Sequence, residues 1–487
     1  MRASPVLAAL LLVCVAVVGG VTPLAGTVRP DAPARNAAAV GTGTVGASVP
    51  GVAADADGNA TPAADSSGVD APLPPTDASV ADPVPVAAVN ATNVTGTVNV
   101  SRVLWLPSGA TPVTRMDSVT IDAGVAVSFG TNRSAERMET IAVRERVRSA
   151  DGAEARSQAI LDGMNAVERR AVTLRTRSRS TVRSYANGEL TATDLVVERA
   201  RIRAEAGALA NRVRLLSTLA EDVEGFSLNT GRTQSLLYDL ETFGGPVTDR
   251  AVAALRGSGD ATRLYVSATG TNVVVTTVTD GEYVRETYRG DLRNLDGSSI
   301  QPAVAQAVTA RSYPEIWDAR TATSGSGRGG TFIYRVAYPG GQLTAFVDGG
   351  SERVFEEHQR INLTTFPSTT VANNTQNGLT LSVNRSYAGG PIRLELTDAS
   401  TGEPVDGTVQ LGRGEDSTTV GRTGEDGVLW ALSPRGTYYV TAVEIGTPNA
   451  VIVETSPVEP ETVADTFDAS EVGDNGTATT PTSGGTQ

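Results

Sequence analysis

Two long apolar rhythms constrain this chain more than any other feature. Ile160, Met164, Val167, Ala171, Leu174, Ser178, Thr181 and Tyr185 recur at spacings of four and three. After Asn187-Gly188 the rhythm returns in Leu195, Ile202, Ala206, Leu209, Val213, Leu216, Ala220 and Val223. Such spacing lays a stripe of apolar side chains along one side of a helix, and that stripe must be covered. Asn-Gly ends a helix, and Thr191 with Asp194 has the capping-box spacing that starts one. Residues 135–224 are therefore expected to form an antiparallel coiled-coil helical hairpin.

The rest of the chain reads as a multidomain α+β protein with long polar connections. Its 487 residues allow roughly two to four domains. Apolar residues make up 40%, below the usual ~45–50%, while Gly and Pro are abundant at 51 and 25. These figures exclude a multi-span membrane protein, and one cysteine excludes a disulfide scaffold. Residues 1–26 read as a signal peptide or membrane anchor. Residues 27–98, rich in Ala, Val, Pro, Asp and Thr without a period, read as a disordered stalk, and residues 456–487 as a disordered tail.

Between them lie three regions. Residues 99–245 begin with short strands at Val103–Leu106, Ser118–Ile121 and Val125–Phe129 and continue into the hairpin. Residues 246–366 read as an α+β domain of two helix-plus-meander units. The first has a helix at Thr248–Leu255 and strands at Leu264–Ala268, Val273–Thr277 and Tyr283–Tyr288. The second has a helix at Ala303–Arg311 and strands at Phe332–Tyr338, Leu343–Val347 and Arg353–Glu357. Tyr265 and Tyr334, Val274 and Leu343, and Val278 and Val347 share one spacing of 69, the mark of a duplication. Residues 378–455 alternate at period two with frequent turns, the pattern of a small β-sandwich with six readable strands.

Charge and address point the same way. The formal charge is −14, and every one of the 40 basic residues is arginine. Excess acid and the absence of lysine suit a protein kept soluble in high salt, where lysine's long apolar stem is a liability. Arg2 followed by an apolar run from Val6 to Val21 forms a charged start and an export-type core, short for a stable membrane span. Cys14 lies inside that run without the small residue before it that a lipidation site needs. Nine Asn-x-Ser/Thr sequons, at Asn59, Asn90, Asn93, Asn99, Asn132, Asn362, Asn373, Asn384 and Asn475, are candidate glycosylation sites. These features predict an extracellular or cell-surface location.

The chemistry open to the chain is narrow. His358 is the only histidine, in Glu356-Glu357-His358-Gln359, and reads as an exposed surface residue. A zinc site needs several His or Cys ligands, and Schiff-base or Walker-type chemistry needs lysine. Gly325-Ser326-Gly327-Arg328-Gly329-Gly330 reads as a loop, because no strand and helix flank it as a phosphate loop requires. A glycosidase needs two carboxylates and aromatic platforms, but Trp105, Trp317 and Trp430 fall in three different regions. No catalytic residue, metal ligand or cofactor is expected. Arginine is concentrated in the first long helix, and Arg169, Arg170, Arg175, Arg177 and Arg179 are the candidate contact for an anionic partner. The plainer reading of that face is solvated arginine with internal ion pairs. Nucleic acid is not expected, because aromatic interleaving is absent and high salt suppresses phosphate contacts.

Three resemblances bear on function. Tyr334-Arg335-Val336, Leu343-Thr344-Ala345-Phe346-Val347-Asp348 and Val354 loosely resemble the PepSY type of secreted module. Thr401-Gly402-Glu403-Pro404-Val405-Asp406-Gly407, Asp426-Gly427-Val428 and Pro434-Arg435-Gly436-Thr437-Tyr438 resemble a carboxypeptidase-regulatory, or transthyretin-like, domain. That resemblance implies a sandwich used as a spacer or binding module. Residues 100–455 also resemble an uncharacterised family of exported haloarchaeal surface proteins. The phrases are Arg183-Ser184-Tyr185-Ala186-Asn187-Gly188-Glu189, Glu282-Tyr283-Val284-Arg285-Glu286, Gly341–Asp348 and Gly427-Val428-Leu429-Trp430. Together they predict a non-enzymatic cell-surface protein with a binding or structural role. Its partner would be an envelope protein or a glycan, with membrane contact through the N-terminal segment if that is retained. Self-association through the coiled coil is a further expectation. The alternatives are a membrane-anchored regulator or sensor of an exported partner such as a protease, and a carboxylate-dependent hydrolase.

Overall fold

The computed structural model describes residues 102–463, apart from residues 280, 368 and 369. The leader, the stalk, the tail beyond Val463 and the sequons at Asn59, Asn90, Asn93, Asn99 and Asn475 lie outside the described residues.

The two apolar rhythms become α2 (Gly152–Ala186) and α3 (Ala192–Glu221). Gly188 takes φ 80° at the break, and Thr191 and Asp194 form the expected capping box. Ile160, Met164, Val167, Ala171 and Leu174 pack with Ile202, Ala206, Leu209, Val213 and Leu216 in one buried cluster. The helices come so close at Gly163 that a Cβ there would lie 3.0 Å from Leu216 Cδ2. The pair does not stand alone. α1 (Ala123–Arg148) and α4 (Thr230–Glu241) contribute Val143, Val147, Leu236 and Leu240 to the same cluster. The residues Val125–Phe129, which alternate like a strand, are the first turns of α1. Asp122 caps this helix by accepting from the Val125 amide at 3.0 Å. Alternation over five residues is too short to outweigh a good N-cap.

The strands around residues 113–362 join one eight-stranded antiparallel sheet, ordered β1-β2-β3-β4-β8-β7-β6-β5. They are β1 (Val113–Val119), β2 (Thr262–Thr269), β3 (Asn272–Thr279), β4 (Glu282–Arg289), β5 (Ala322–Arg328), β6 (Thr331–Tyr338), β7 (Gly341–Asp348) and β8 (Arg353–Asn362). Val103–Leu106 is not a strand; only Val103 forms an isolated bridge, to Thr462. The glycine-rich run expected as a loop supplies edge strand β5, because Gly325 and Gly327 lie against the Tyr334 and Phe332 rings of β6 and leave no room for a Cβ.

The spacing of 69 is present in the pairing itself. Tyr265 faces Thr276 across β2 and β3, and Tyr334 faces Ala345 across β6 and β7, each 69 residues on. The helices do not follow the repeat. α5 (Pro246–Arg256) packs Val247, Ala251 and Leu255 on the face carrying Leu264 and Val266. α6 (Pro302–Ser312) packs Ala305 and Val308 on the opposite face, where Tyr334 donates to the Pro302 carbonyl. The meanders repeat; the helix-plus-meander unit does not.

Both faces of the sheet's central strands are thus covered. Helices α2, α3 and α5 cover one, with the Tyr185 hydroxyl donating to the Val266 carbonyl. The other is covered by α6, the short α7 (Pro314–Asp318), residues 102–106, Val463 and the Tyr387 turn. Residues 456–463 are therefore part of the fold rather than tail: Val103 donates to the Glu461 carbonyl, and Val463 to the Val103 carbonyl.

The C-terminal sandwich has eight strands. One sheet is ordered β14-β11-β10-β9 and the other β13-β12-β15-β16. The strands are β9 (Thr370–Gln376), β10 (Leu379–Arg385), β11 (Pro391–Asp398), β12 (Gly407–Arg413), β13 (Asp416–Arg422), β14 (Val428–Leu432), β15 (Tyr438–Glu444) and β16 (Ala450–Thr455). The domain begins at β9, before the expected residue 378. Asn-rich β9 has few apolar residues to show alternation. The sandwich is docked on the larger sheet: Thr276 Oγ1 and the Tyr283 hydroxyl both donate to the Gly389 carbonyl, at 2.6 and 3.1 Å.

Candidate functional site

The centre of the large sheet carries charge on both faces. Alternation puts Arg285 on one side of β4 and Glu286 on the other. On β8, Glu357 shares the Arg285 side, and Glu356 and His358 share the Glu286 side, as the pairs Thr287–Glu357 and Glu286–His358 require. With both faces covered, Arg285 and Glu357 are each 0% exposed.

Arg285 and Glu357 grip a piece of irregular backbone. Arg285 Nε donates to Glu357 Oε1 at 3.1 Å, and its Nη2 to the Leu104 carbonyl at 2.7 Å. Glu357 Oε2 accepts from the Leu104 amide at 2.6 Å and from the Tyr313 hydroxyl at 2.7 Å. Arg289 Nη1 donates to the Trp105 carbonyl at 2.7 Å, and Gln359 Nε2 to the Arg102 carbonyl at 3.3 Å. The Arg285 guanidinium also stands over the Trp105 ring at 5.1 Å. Residues 102–105 lie outside the eight-stranded ladder: the backbone of residues 461–463 satisfies Val103, and side chains satisfy Leu104 and the carbonyls of Arg102 and Trp105. Burial pushes the Glu357 carboxyl up, against the pull of Arg285 and the Leu104 amide.

On the helix face, Glu286 accepts from the Thr248 amide and hydroxyl at 2.8 and 3.0 Å, and pairs with Arg199 at 3.3 Å. His358 is not the exposed residue expected. Its side chain is 13% exposed within β8, 3.0 Å from Glu356 and edge-on to Phe346. Burial raises the Glu356 carboxyl, opposed by the hydrogen bond and charge of His358.

The arginine face of α2 is divided. Arg170 pairs with Glu205, Arg177 with Glu198 and Glu205, and Arg175 with Asp239 of α4. Arg169 and Arg179 have no ion pair among the described residues; Arg169 is exposed and Arg179 half-buried. Of the sequons in the fold, Asn132, Asn362 and Asn373 are exposed and Asn384 is half-buried.

The three tryptophans, distant in sequence, pack against one core cluster. They are partly buried there rather than arrayed on an open platform. A groove of about 520 Å³ runs beside edge strand β1, lined by Arg115, Met116, Asp117 and the α2–α3 turn at Gly188–Ala192. Among the described residues no three His, Cys, Asp or Glu side chains are placed to hold a metal, and no helix is long and apolar enough to cross a membrane.

Sequence reasoning passed over the Arg285–Glu357 grip. A signal was present: Arg285-Glu286 follows Tyr283-Val284 and Glu356-Glu357 follows Val354-Phe355, so adjacent charges sit in each expected strand, and alternation sends one charge to each face.

Comparison with family models divides the chain in three. A domain of unknown function, DUF7096, matches residues 1–260, just over half of the chain. The chain belongs to the DUF7096 family. A second family of unknown function, DUF7094, matches residues 264–367, and an archaeal fibronectin-III type-like domain matches residues 370–450. No curated protein and no solved structure matches the chain. The matches place the protein among archaeal families with a C-terminal β-sandwich. The sandwich phrases resemble a transthyretin-like domain and residues 334–354 a PepSY module, but the models that match are the fibronectin-type domain and DUF7094. The DUF7096 segment does not end where the fold does. It contributes β1, whose residues Val113–Asp117 pair with Leu264–Ala268 of β2 in the DUF7094 segment.

Proposed function

We propose that the chain is an exported, non-enzymatic protein of a halophilic archaeal cell envelope, with a binding or structural role toward an envelope protein or glycan. In this reading residues 1–26 direct export or anchor the chain, residues 27–98 space the fold from the membrane, and the α2–α3 hairpin is a coiled coil open to self-pairing.

The observation that carries it is the grip on residues 102–105. The first described residues, from Arg102 on, are held by Arg285, Glu357, Gln359 and Arg289 at the sheet centre. Such an attachment suits a body borne on a stalk. The buried carboxylates also support a non-enzymatic role. Glu286, Glu356 and Glu357 are bonded to neighbouring protein groups rather than converging on an open cleft. Of the five arginines singled out on α2, Arg169 and Arg179 are those left for an anionic partner.

Intact-mass spectrometry of protein recovered separately from membranes and medium in high salt tests the reading. Retention of residues 1–26 in a membrane fraction, or their removal from a released form, supports it. An unprocessed chain confined to the cell interior overturns it. A stoichiometric partner protease captured from the membrane would favour the anchored regulator.

A further inference from the structure

Four sequons lie within the described residues, and the fold treats them differently. Glycan transfer needs the asparagine carboxamide and the Ser or Thr hydroxyl two residues on to be presented together. In a strand or open turn, residues i and i+2 share a side; on a helix they do not face each other.

Asn132 lies within α1, where the Ser134 hydroxyl donates to the Gly130 carbonyl at 3.1 Å. Helical geometry separates its two groups. Asn384 lies in β10, between β9 and β11, and its Ser386 is only 4% exposed. Burial withholds its hydroxyl. Asn373 and Thr375 are both exposed on one side of β9, at the end of the sheet order. Asn362 ends β8 on the surface, and its Oδ1 accepts from the Thr364 amide at 2.9 Å and hydroxyl at 2.8 Å. The two groups of that sequon are already brought together, and its Nδ2 has no hydrogen-bond partner among the described residues.

We infer that Asn362 and Asn373 are the sites within the fold that carry N-linked oligosaccharide, and that Asn132 and Asn384 stay bare. This rests on the export reading above. The donor is a lipid-phosphate-linked oligosaccharide. Nδ2 attacks the anomeric carbon, the sugar C–O bond breaks as the C–N bond forms, the lipid phosphate leaves with the electron pair, and the amide gives up one proton. The two sugars would flank the connection between β8 and β9, shielding the joint between the large sheet and the sandwich.

The test is site-resolved mass spectrometry of protein purified from its native cells in high salt. Cleavage after arginine releases residues 361–385 as one peptide holding Asn362, Asn373 and Asn384, so fragmentation that keeps the sugar attached is needed. Sugar on Asn362 and Asn373, with none on Asn384 or Asn132, is the expected result. In intact protein, Asn362→Gln and Asn373→Gln should each remove one oligosaccharide mass, and Asn384→Gln and Asn132→Gln none. Sugar on Asn384 or Asn132 would mean transfer before folding and overturns the inference. A bare 361–385 peptide in a chain lacking its leader overturns it while leaving export intact. A bare peptide in an unprocessed intracellular chain brings down the export reading itself.

Discussion

Arg285 and Glu357 form an ion pair across neighbouring strands, with Nε and Oε1 3.1 Å apart and neither residue exposed to solvent. Both also bond the backbone of Leu104, so the pair joins the first described residues to the middle of the sheet. Removing one member of such a pair strands the other. Glu357→Gln is expected to cost about 3–5 kcal/mol, read as a shift in denaturant midpoint at high salt. The double change Arg285→Met with Glu357→Leu leaves no uncompensated charge but takes the partners from the Leu104 amide and carbonyl and the Tyr313 hydroxyl, so it should cost less than Arg285→Met and Glu357→Leu summed. Strictly additive losses would count against the pair as the link.

Gly389 has φ +75°, and a Cβ there would lie 2.5 Å from Tyr265 Cδ1. Its carbonyl is the acceptor shared by Thr276 and Tyr283. Gly389→Ala should destabilise by about 1–3 kcal/mol through strain and overpacking. It should also loosen the sandwich, so that one unfolding transition becomes two in calorimetry. A single transition at the original temperature would show that the contact does not couple the domains.

Glu356 gives a pH dependence with a defined sign. Burial raises its folded carboxyl above the ordinary 4.5. A raised group stabilises the fold fully below the unfolded value, and that contribution is lost as pH rises through the folded value. Between wild type and Glu356→Gln, the stability difference should therefore move against wild type as pH rises from about 4.5. Denaturation across pH 4 to 8 reads it. A difference that moves the other way would mean that His358, Arg199 and Arg293 outweigh burial.

The α2 arginines should separate by variant. Arg175→Gln loses one internal ion pair and Arg177→Gln two, at about 0.2–1 kcal/mol per pair, the range for partly exposed pairs. Arg169→Gln with Arg179→Gln should leave stability within about 0.5 kcal/mol. If envelope retention falls with the second pair while the melting temperature holds, the face docks an anionic partner. Unchanged retention removes that role.

The elements legible in the sequence were those whose rule is local. Heptad spacing marked α2 and α3, the Thr191–Asp194 box marked where α3 starts, and the six meander strands lie where the sequence placed them. Local rules failed where two of them competed, as at Val125–Phe129, or where a segment was polar, as in β5 and β9. The repeat lies between these cases: a spacing of 69 was visible in the residues, and only the strand pairing showed that the helices do not share it.

Composition and periodicity settled the acidic, lysine-free character of the chain, its two long helices and its terminal sandwich, because each depends on residues within a few turns or strands of one another. The central grip was settled by contact at long range. Leu104 meets Arg285 across 181 residues of chain, and Glu357 is buried only because residues 102–106, α6, α7 and the Tyr387 turn cover a face that a lone meander would leave wet. A strand pattern says which side chains share a face. It does not say what covers that face, and the cover decides whether a charge is solvated or must find a partner.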